Sequence, residues 1–282
     1  MIGTKVLVWL EALHEEGTER QRKAARNLLN TSEHYFDSKK VSQETRVDLH
    51  RAWMPLASSS DPLVRECVAQ LTGLLRIWSE SGGILLRRLL VDEVAEVRVA
   101  AVWAAGHIGS TAGSLVPVLL TLLPQPEQKV RWRIAWALNE IGHCDDRVIQ
   151  AICGLAGDED VLTRMSAYNA IAGLVESPSG NAAQKVLAGL EDGDDGVCAA
   201  ACVAIGLGNH FDPSTAEVLI RMAANGSHGV QAAAIIALYR AWPDRISHPA
   251  VMTFLQSNLG YWWAEAMLRG EPVRVRRADN RI

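Results

Sequence analysis

One spacing constrains this chain more than any other feature. Six segments align on the anchors Val64, Val97, Val130, Thr163, Val197 and Val230, and the steps between anchors are 33, 33, 33, 34 and 33 residues. Self-similarity this regular means stacked copies of one supersecondary unit, because a unit of this size cannot bury its apolar face alone. From the anchors, offsets 0, 4, 7, 8 and 11 form an apolar stripe, as in Val97, Ala101, Ala104, Ala105 and Ile108, and again in Val130, Ile134, Ala137, Leu138 and Ile141. At about 100° per residue those offsets share an arc of about 100°, the buried stripe of a helix. Second apolar segments lie between these helices, at 84–90, 115–123, 147–157, 182–190, 215–224 and 250–259. Each opens after a Gly, Ser, Pro or Asp cluster that can stop one helix and cap the next. Period-two alternation is nearly absent, so the spacing predicts helix–turn–helix units and an all-α chain.

Composition narrows the function classes. A chain of 282 residues with 49% hydrophobic and 21% charged residues forms cores, which excludes disorder as its main state. Apolar runs fall short of the roughly 18 residues that a membrane span needs, so a soluble chain with no membrane partner is expected. Residues 1–14 carry Lys5 and Glu11 and no small-residue cleavage pattern, and read as an amphipathic helix rather than a leader. Five cysteines without paired spacing give no disulfide framework, and a cytoplasmic location is the expectation. A formal charge of −4 argues against nucleic acid as a partner, since phosphate binding needs an excess of Lys and Arg.

The pattern acidic-x-x-Val-Arg-x-x-Ala-x-x-Ala-Leu-x-x-Ile-Gly, most complete in Glu127 to Gly142, resembles a HEAT repeat, in particular the short bacterial PBS-lyase HEAT-like type. The likeness runs over residues 61–243. It implies a right-handed α-solenoid forming one domain, with residues 1–60 as an N-terminal helical cap and 244–282 as a C-terminal cap and basic tail. It implies much less about function, because a solenoid hosts many unrelated tasks.

Catalytic and metal motifs are sparse. No G-x-S-x-G elbow, P-loop or H-E-x-x-H occurs, so no catalytic residue, metal or cofactor is assigned. Iron-binding HEAT hydroxylases carry His-Glu pairs in several repeats, whereas here the pair occurs once, at His14-Glu15. His143-Cys144-Asp145-Asp146 reads as a capped polar turn, and Cys198 and Cys202 as small buried hydrophobes. The row following the anchors, Arg65, Arg98, Arg131 and Arg164, continues as Cys198 and Gln231. With the acids three before the anchor, Asp61, Glu127, Asp160 and Asp194, it resembles the structural ladders that tie neighbouring HEAT turns together. Any acid–base pair would be assembled across repeats, with Glu140 and His107 as the pair to inspect. The tail carries Arg269, Arg274, Arg276, Arg277 and Arg281 against Glu271 and Asp279, which reads as a solvated segment or an acidic-partner contact.

What distinguishes the chain is tryptophan: nine, against four Tyr and three Phe. Opposite the core stripe, the offset-6 row reads Gln70, Trp103, Trp136, Asn169, Val203, Ile236, and the offset-2 row Glu66, Val99, Trp132, Met165, Ala199, Ala232. Trp103, Trp132 and Trp136 are therefore expected on the face that a solenoid turns inward, fringed by Arg133, Asn139, Glu140, His107, Met165 and Asn169. Helix-wheel geometry leaves open whether the rings stay exposed or pack against neighbouring helices. Tyr261, Trp262 and Trp263 either extend that surface or plug the end of the core. An aromatic cluster with a polar fringe suits a binding hot spot. The expected function is a non-catalytic adaptor, scaffold or inhibitor, such as an immunity-type protein, binding a protein partner. Two alternatives remain: a bilin lyase-like enzyme or chromophore chaperone with a bilin in the groove, and a nucleic-acid binder like the HEAT-like repair glycosylases.

Overall fold

Short polar side chains start several of the helices. Asp61, Ser79, Asp145, Asp160 and Asp194 each take a backbone N–H of the helix that follows, at 2.9–3.0 Å, satisfying donors that the first turn leaves open. The computed structural model describes residues 4–35, 42–76, 78–124, 127–175, 180–208 and 211–270, with the side chains of 4–7 and 31–35 left out. Among them there is no strand.

The chain divides into two compact units, Met1–His143 and Cys144–Ile282. In the first, α1 (Thr4–Ala12), α2 (Glu19–Tyr35), α3 (Gln43–Trp53), α4 (Pro62–Leu75), α5 (Glu80–Leu90), α6 (Ala95–Ile108), α7 (Val116–Thr121) and α8 (Gln128–Ile141) form successive hairpins, with 3-10 turns at Met54–Ser58 and Gly109–Leu115. The second helices of these hairpins stack in order, α2 on α4, α4 on α6 and α6 on α8, so residues 19–35 already join the stack. The second unit holds α9 (Asp146–Leu155), α10 (Val161–Leu174), α11 (Gly180–Gly189), α12 (Asp195–Leu207), α13 (Ser214–Asn225), α14 (His228–Ala241), α15 (Pro249–Ser257) and α16 (Trp262–Leu268). There α10 stacks on α12 and α12 on α14.

The helix phase is the one the spacing predicts. Val97, Ala101, Ala104, Ala105, Val130, Ile134, Ala137 and Leu138 are all fully buried. Offset 5 is buried as well, at Val102, Ala135, Cys202 and Ile235, because each second helix meets neighbours on two sides. One expectation needs correction. Ala95–Thr121 does reach the length and apolarity of a membrane span, with mean hydropathy 1.2 over its best window. It is broken at Gly109, where φ is +76°, and 56% of that window is buried within the fold.

The arginine row ties turns together. Arg65 pairs with both oxygens of Asp92, at 2.8 and 2.9 Å, and donates to the carbonyl of Ser59. Arg98 donates to the carbonyls of Asp92 and Glu93 and reaches Glu127 at 2.6 Å. In the second unit Arg164 grips both oxygens of Asp192 and the carbonyls of Asp158 and Glu159. The acids three before the anchor are therefore mostly helix caps. The carboxylates that hold the arginines stand two residues earlier, at Asp92 and Asp192, and Glu127 alone serves the row from its expected place. Where cysteine replaces arginine, the Cys198 thiol donates to the Asp192 carbonyl at 3.1 Å, keeping one bond of the set.

At offset 9 the backbones of stacked helices nearly touch. A Cβ on Gly73 would lie 2.6 Å from Ala104 Cα, and one on Gly206 would lie 2.8 Å from Ala237 Cα. Gly73→Ala should therefore destabilise the protein by about 1–3 kcal/mol through overpacking against backbone. Gly154→Ala, in α9 with open space around the added methyl, should be neutral or gain up to about 1 kcal/mol from helix propensity. Denaturant unfolding of the two variants checks this, and equal losses would disprove the close approach.

The ladder also predicts an acid response. Hydrogen bonds from Arg164 hold the Asp192 carboxyl below the usual carboxylate range, against an opposing effect of burial. A depressed folded value stabilises above the unfolded value, near pH 3.9, and that stability disappears as pH falls through the folded value. Melting temperatures measured from pH 7 down to about 2 should fall less steeply for Asp192→Asn than for the parent protein.

Candidate partner-binding site

The tryptophan face of the first unit is built from α4, α6 and α8. Trp136, at offset 6 of α8, lies on Gly106, at offset 9 of α6: a Cβ there would come within 2.4 Å of the ring. Trp103 repeats the arrangement one layer earlier, with its ring edge against Gly73. Each ring is thus half-buried, one side laid on a glycine of the preceding helix. Neither expectation, full exposure or full burial, describes them. His107 stacks on Trp103 with centroids 3.8 Å apart and meets Trp136 at 5.1 Å, its Nδ1 3.2 Å from the Trp103 carbonyl oxygen. The face therefore carries a row of three aromatic rings.

Trp132 stands one turn earlier on α8, half-buried, with the Arg133 guanidinium 4.2 Å over its ring. Arg133 also donates to the Lys129 carbonyl, and among the described residues no carboxylate pairs with it. Its partial burial lowers its ordinary value, although a guanidinium stays charged at neutral pH. Beside it an open pocket of about 270 Å³ is lined by Glu66, Gln70, Val99, Ala100, Trp103 and Arg133. Glu66 and Glu96 have no hydrogen-bond or ion-pair partner among the described residues. Burial first, and then repulsion from Glu96, raises the Glu66 carboxyl above the usual range.

The first unit thus brings together Trp103, Trp136, His107, Trp132 and Arg133, with Asn139 and Glu140 half-buried on α8. Met165 and Asn169 belong to the second unit, where the Met165 thioether lies beside Gly196 and Asn169 is exposed on α10. Sequence reasoning missed Glu66, Gln70 and Val99 as site residues. They sat in the same offset-2 and offset-6 rows as the tryptophans, so the signal was present in the row. The remaining motifs resolve locally. Asp145 caps α9, Cys144 is exposed, and Cys67, Cys153, Cys198 and Cys202 are buried. Trp263 packs with Phe254 and Tyr261, while Trp262 stays 63% exposed. Arg269 pairs with Glu265, and Arg274, Arg276, Arg277 and Arg281 lie outside the described residues.

Stacked helical hairpins with a tryptophan face define an all-α solenoid, and solved structures agree on the fold. A crystal structure of an engineered protein is similar at 20% identity and TM-score 0.60, covering 95% of this chain and 76% of its own. Two more, also of engineered proteins, match at 20% and 21% identity with TM-scores 0.52 and 0.50, covering 72% and 84% of this chain and 97% and 96% of theirs. Residues 83–172 and 116–206 match the family described as HEAT repeats, so this part of the chain is built of HEAT repeats. No curated protein matches it in sequence.

Proposed function

We propose that the protein is a non-catalytic interaction scaffold, an adaptor or inhibitor acting in the cytoplasm, and that a protein partner docks on the α4–α6–α8 face through Trp103, Trp132 and Trp136. The observation that carries this reading is the half-buried aromatic row beside unpaired charges. Rings fixed on glycines lose little freedom on binding, and tryptophan supplies much contact area with few rotatable bonds. The pocket is smaller than the roughly 300–1,000 Å³ of small-molecule sites, which favours a protruding protein side chain over a tetrapyrrole. Glu66 and Glu96 would repel a phosphate backbone, which favours protein over nucleic acid.

Trp132 leans on Arg133 while Trp136 fills the space above Gly106, so the two substitutions should differ. Trp132→Ala should weaken partner binding by about 2 kcal/mol or more with little change in melting. Trp136→Ala should weaken binding and also lower stability, by less than the about 3–5 kcal/mol of a fully buried ring. Affinity capture of the native partner, with melting curves on the same variants, checks both. A well-folded Trp132→Ala/Trp136→Ala protein that binds as the parent does would overturn the reading.

A further inference from the structure

The α4–α6–α8 pocket has an acidic end and a basic end, and neither is neutralised within the described residues. Its acidic end is Glu66, on α4, close enough to Glu96 on α6 for the two carboxylates to repel each other. Its basic end is Arg133, stacked on Trp132 and without a carboxylate partner. Trp103 walls the space between. The buried arginines of the ladder differ: Arg65, Arg98 and Arg164 each hold a carboxylate and at least one carbonyl. Glu66 lines the cavity, and Glu96 stands near enough to repel it, an arrangement that is destabilising until a cation joins the two carboxylates.

We infer that the partner inserts one arginine side chain into this pocket, its guanidinium bridging Glu66 and Glu96 against the Trp103 wall, while a nearby acidic residue of the same segment meets Arg133. Arginine fits better than lysine, because its planar fork of five donors can serve two carboxylates at once and its flat face packs on an indole. The available space, about 270 Å³, suits one long side chain. The pairing would also fix direction along the face, since the segment's cation and anion must enter in the order that the acidic and basic ends impose. This inference rests on the docking reading above and adds the chemistry of the docked segment.

The test uses the full-length protein and the capped peptide acetyl-Ala-Arg-Ala-Asp-Ala-amide, followed by the NMR signals of the tryptophan indoles. Saturable shifts of Trp103 and Trp132 are expected. Citrulline in place of arginine keeps the shape and removes the charge, and should bind at least about tenfold more weakly, as loss of a charge-assisted pair requires. Glu66→Gln/Glu96→Gln should lose the peptide to the same degree while melting no lower than the parent, because the substitution relieves a repulsion; a structural role for these carboxylates would lower melting. Equal binding of the citrulline peptide, undiminished binding by the Gln variant, or indole signals that none of the peptides moves would overturn the inference. Capture of the native partner separates it from the reading beneath it. Binding kept by Glu66→Gln/Glu96→Gln but lost by Trp132→Ala/Trp136→Ala removes the arginine pairing and leaves the docking face. Binding kept by both removes the docking face itself.

Discussion

The ninth residue after each anchor controls how closely second helices approach, and much of the tryptophan face follows from that distance. Where it is glycine, as at Gly73 and Gly206, the Cα of the next helix's offset-7 alanine comes so near that a methyl group could not be inserted. Close approach maximises dispersion contacts along the alanine-rich stripe, which offers little apolar area per residue and would be a weak core at ordinary helix spacing. In the first unit an indole lies against the glycine at this position, Trp103 on Gly73 and Trp136 on Gly106, and both glycines are buried. The glycines that let the helices pack therefore also position the aromatic row.

The opposite end of each hairpin is held by polar contacts. The arginine following the anchor enters the turn and satisfies its carbonyls, while a carboxylate at the next turn, Asp92, Glu127 or Asp192, neutralises Arg65, Arg98 or Arg164. Such an arrangement tolerates partial loss. Cys198 supplies one donor where arginine supplies several, and the turn keeps the same carbonyl geometry at Asp192. Gln231, further along, reaches the Ala224 carbonyl at 3.4 Å. The ladder therefore thins toward the C-terminus without the hairpin being abandoned, since the buried stripe, and not the ion pair, supplies most of the stabilisation.

Fold and face were legible to different degrees because they depend on different kinds of information. The 33-residue step and the offsets 0, 4, 7, 8 and 11 are properties of one helix against a generic core, so counting along Val97 to Ile108 located the buried residues. The half-burial of Trp136 depends on Gly106, a residue 30 positions earlier, and no single helical wheel contains both. The offset-9 row, with glycine at 73, 106 and 206, carried that information in the aligned repeats. Asp92 and Asp192 escaped notice for a related reason. They belong to the turn before the next repeat, and a row counted from the anchor finds the cap at Asp61 or Asp194 first. Met165 and Asn169 shared rows with the tryptophans, but row membership ties residues to a helix phase and not to one unit.

The contrast between the two sets of charges explains why the α4–α6–α8 face stands apart chemically. Arg65 and Arg164 are almost enclosed, and there the fold supplies bidentate carboxylates and carbonyls, as desolvated guanidinium groups require. Glu66 and Arg133 are also partly desolvated, yet among the described residues the fold supplies neither with an ion partner. Packing alone does not require that arrangement, since glutamine in place of Glu66 would fill nearly the same volume without the repulsion from Glu96. A charge that is half-buried and unpaired in the free protein binds an opposite charge more strongly than an exposed one, because part of its desolvation has already occurred before the partner arrives. The rigid rings on glycine act in the same direction, losing little entropy on contact. Both features lower the cost of forming a complex at one place on the molecule, and both are built from residues on three successive repeats.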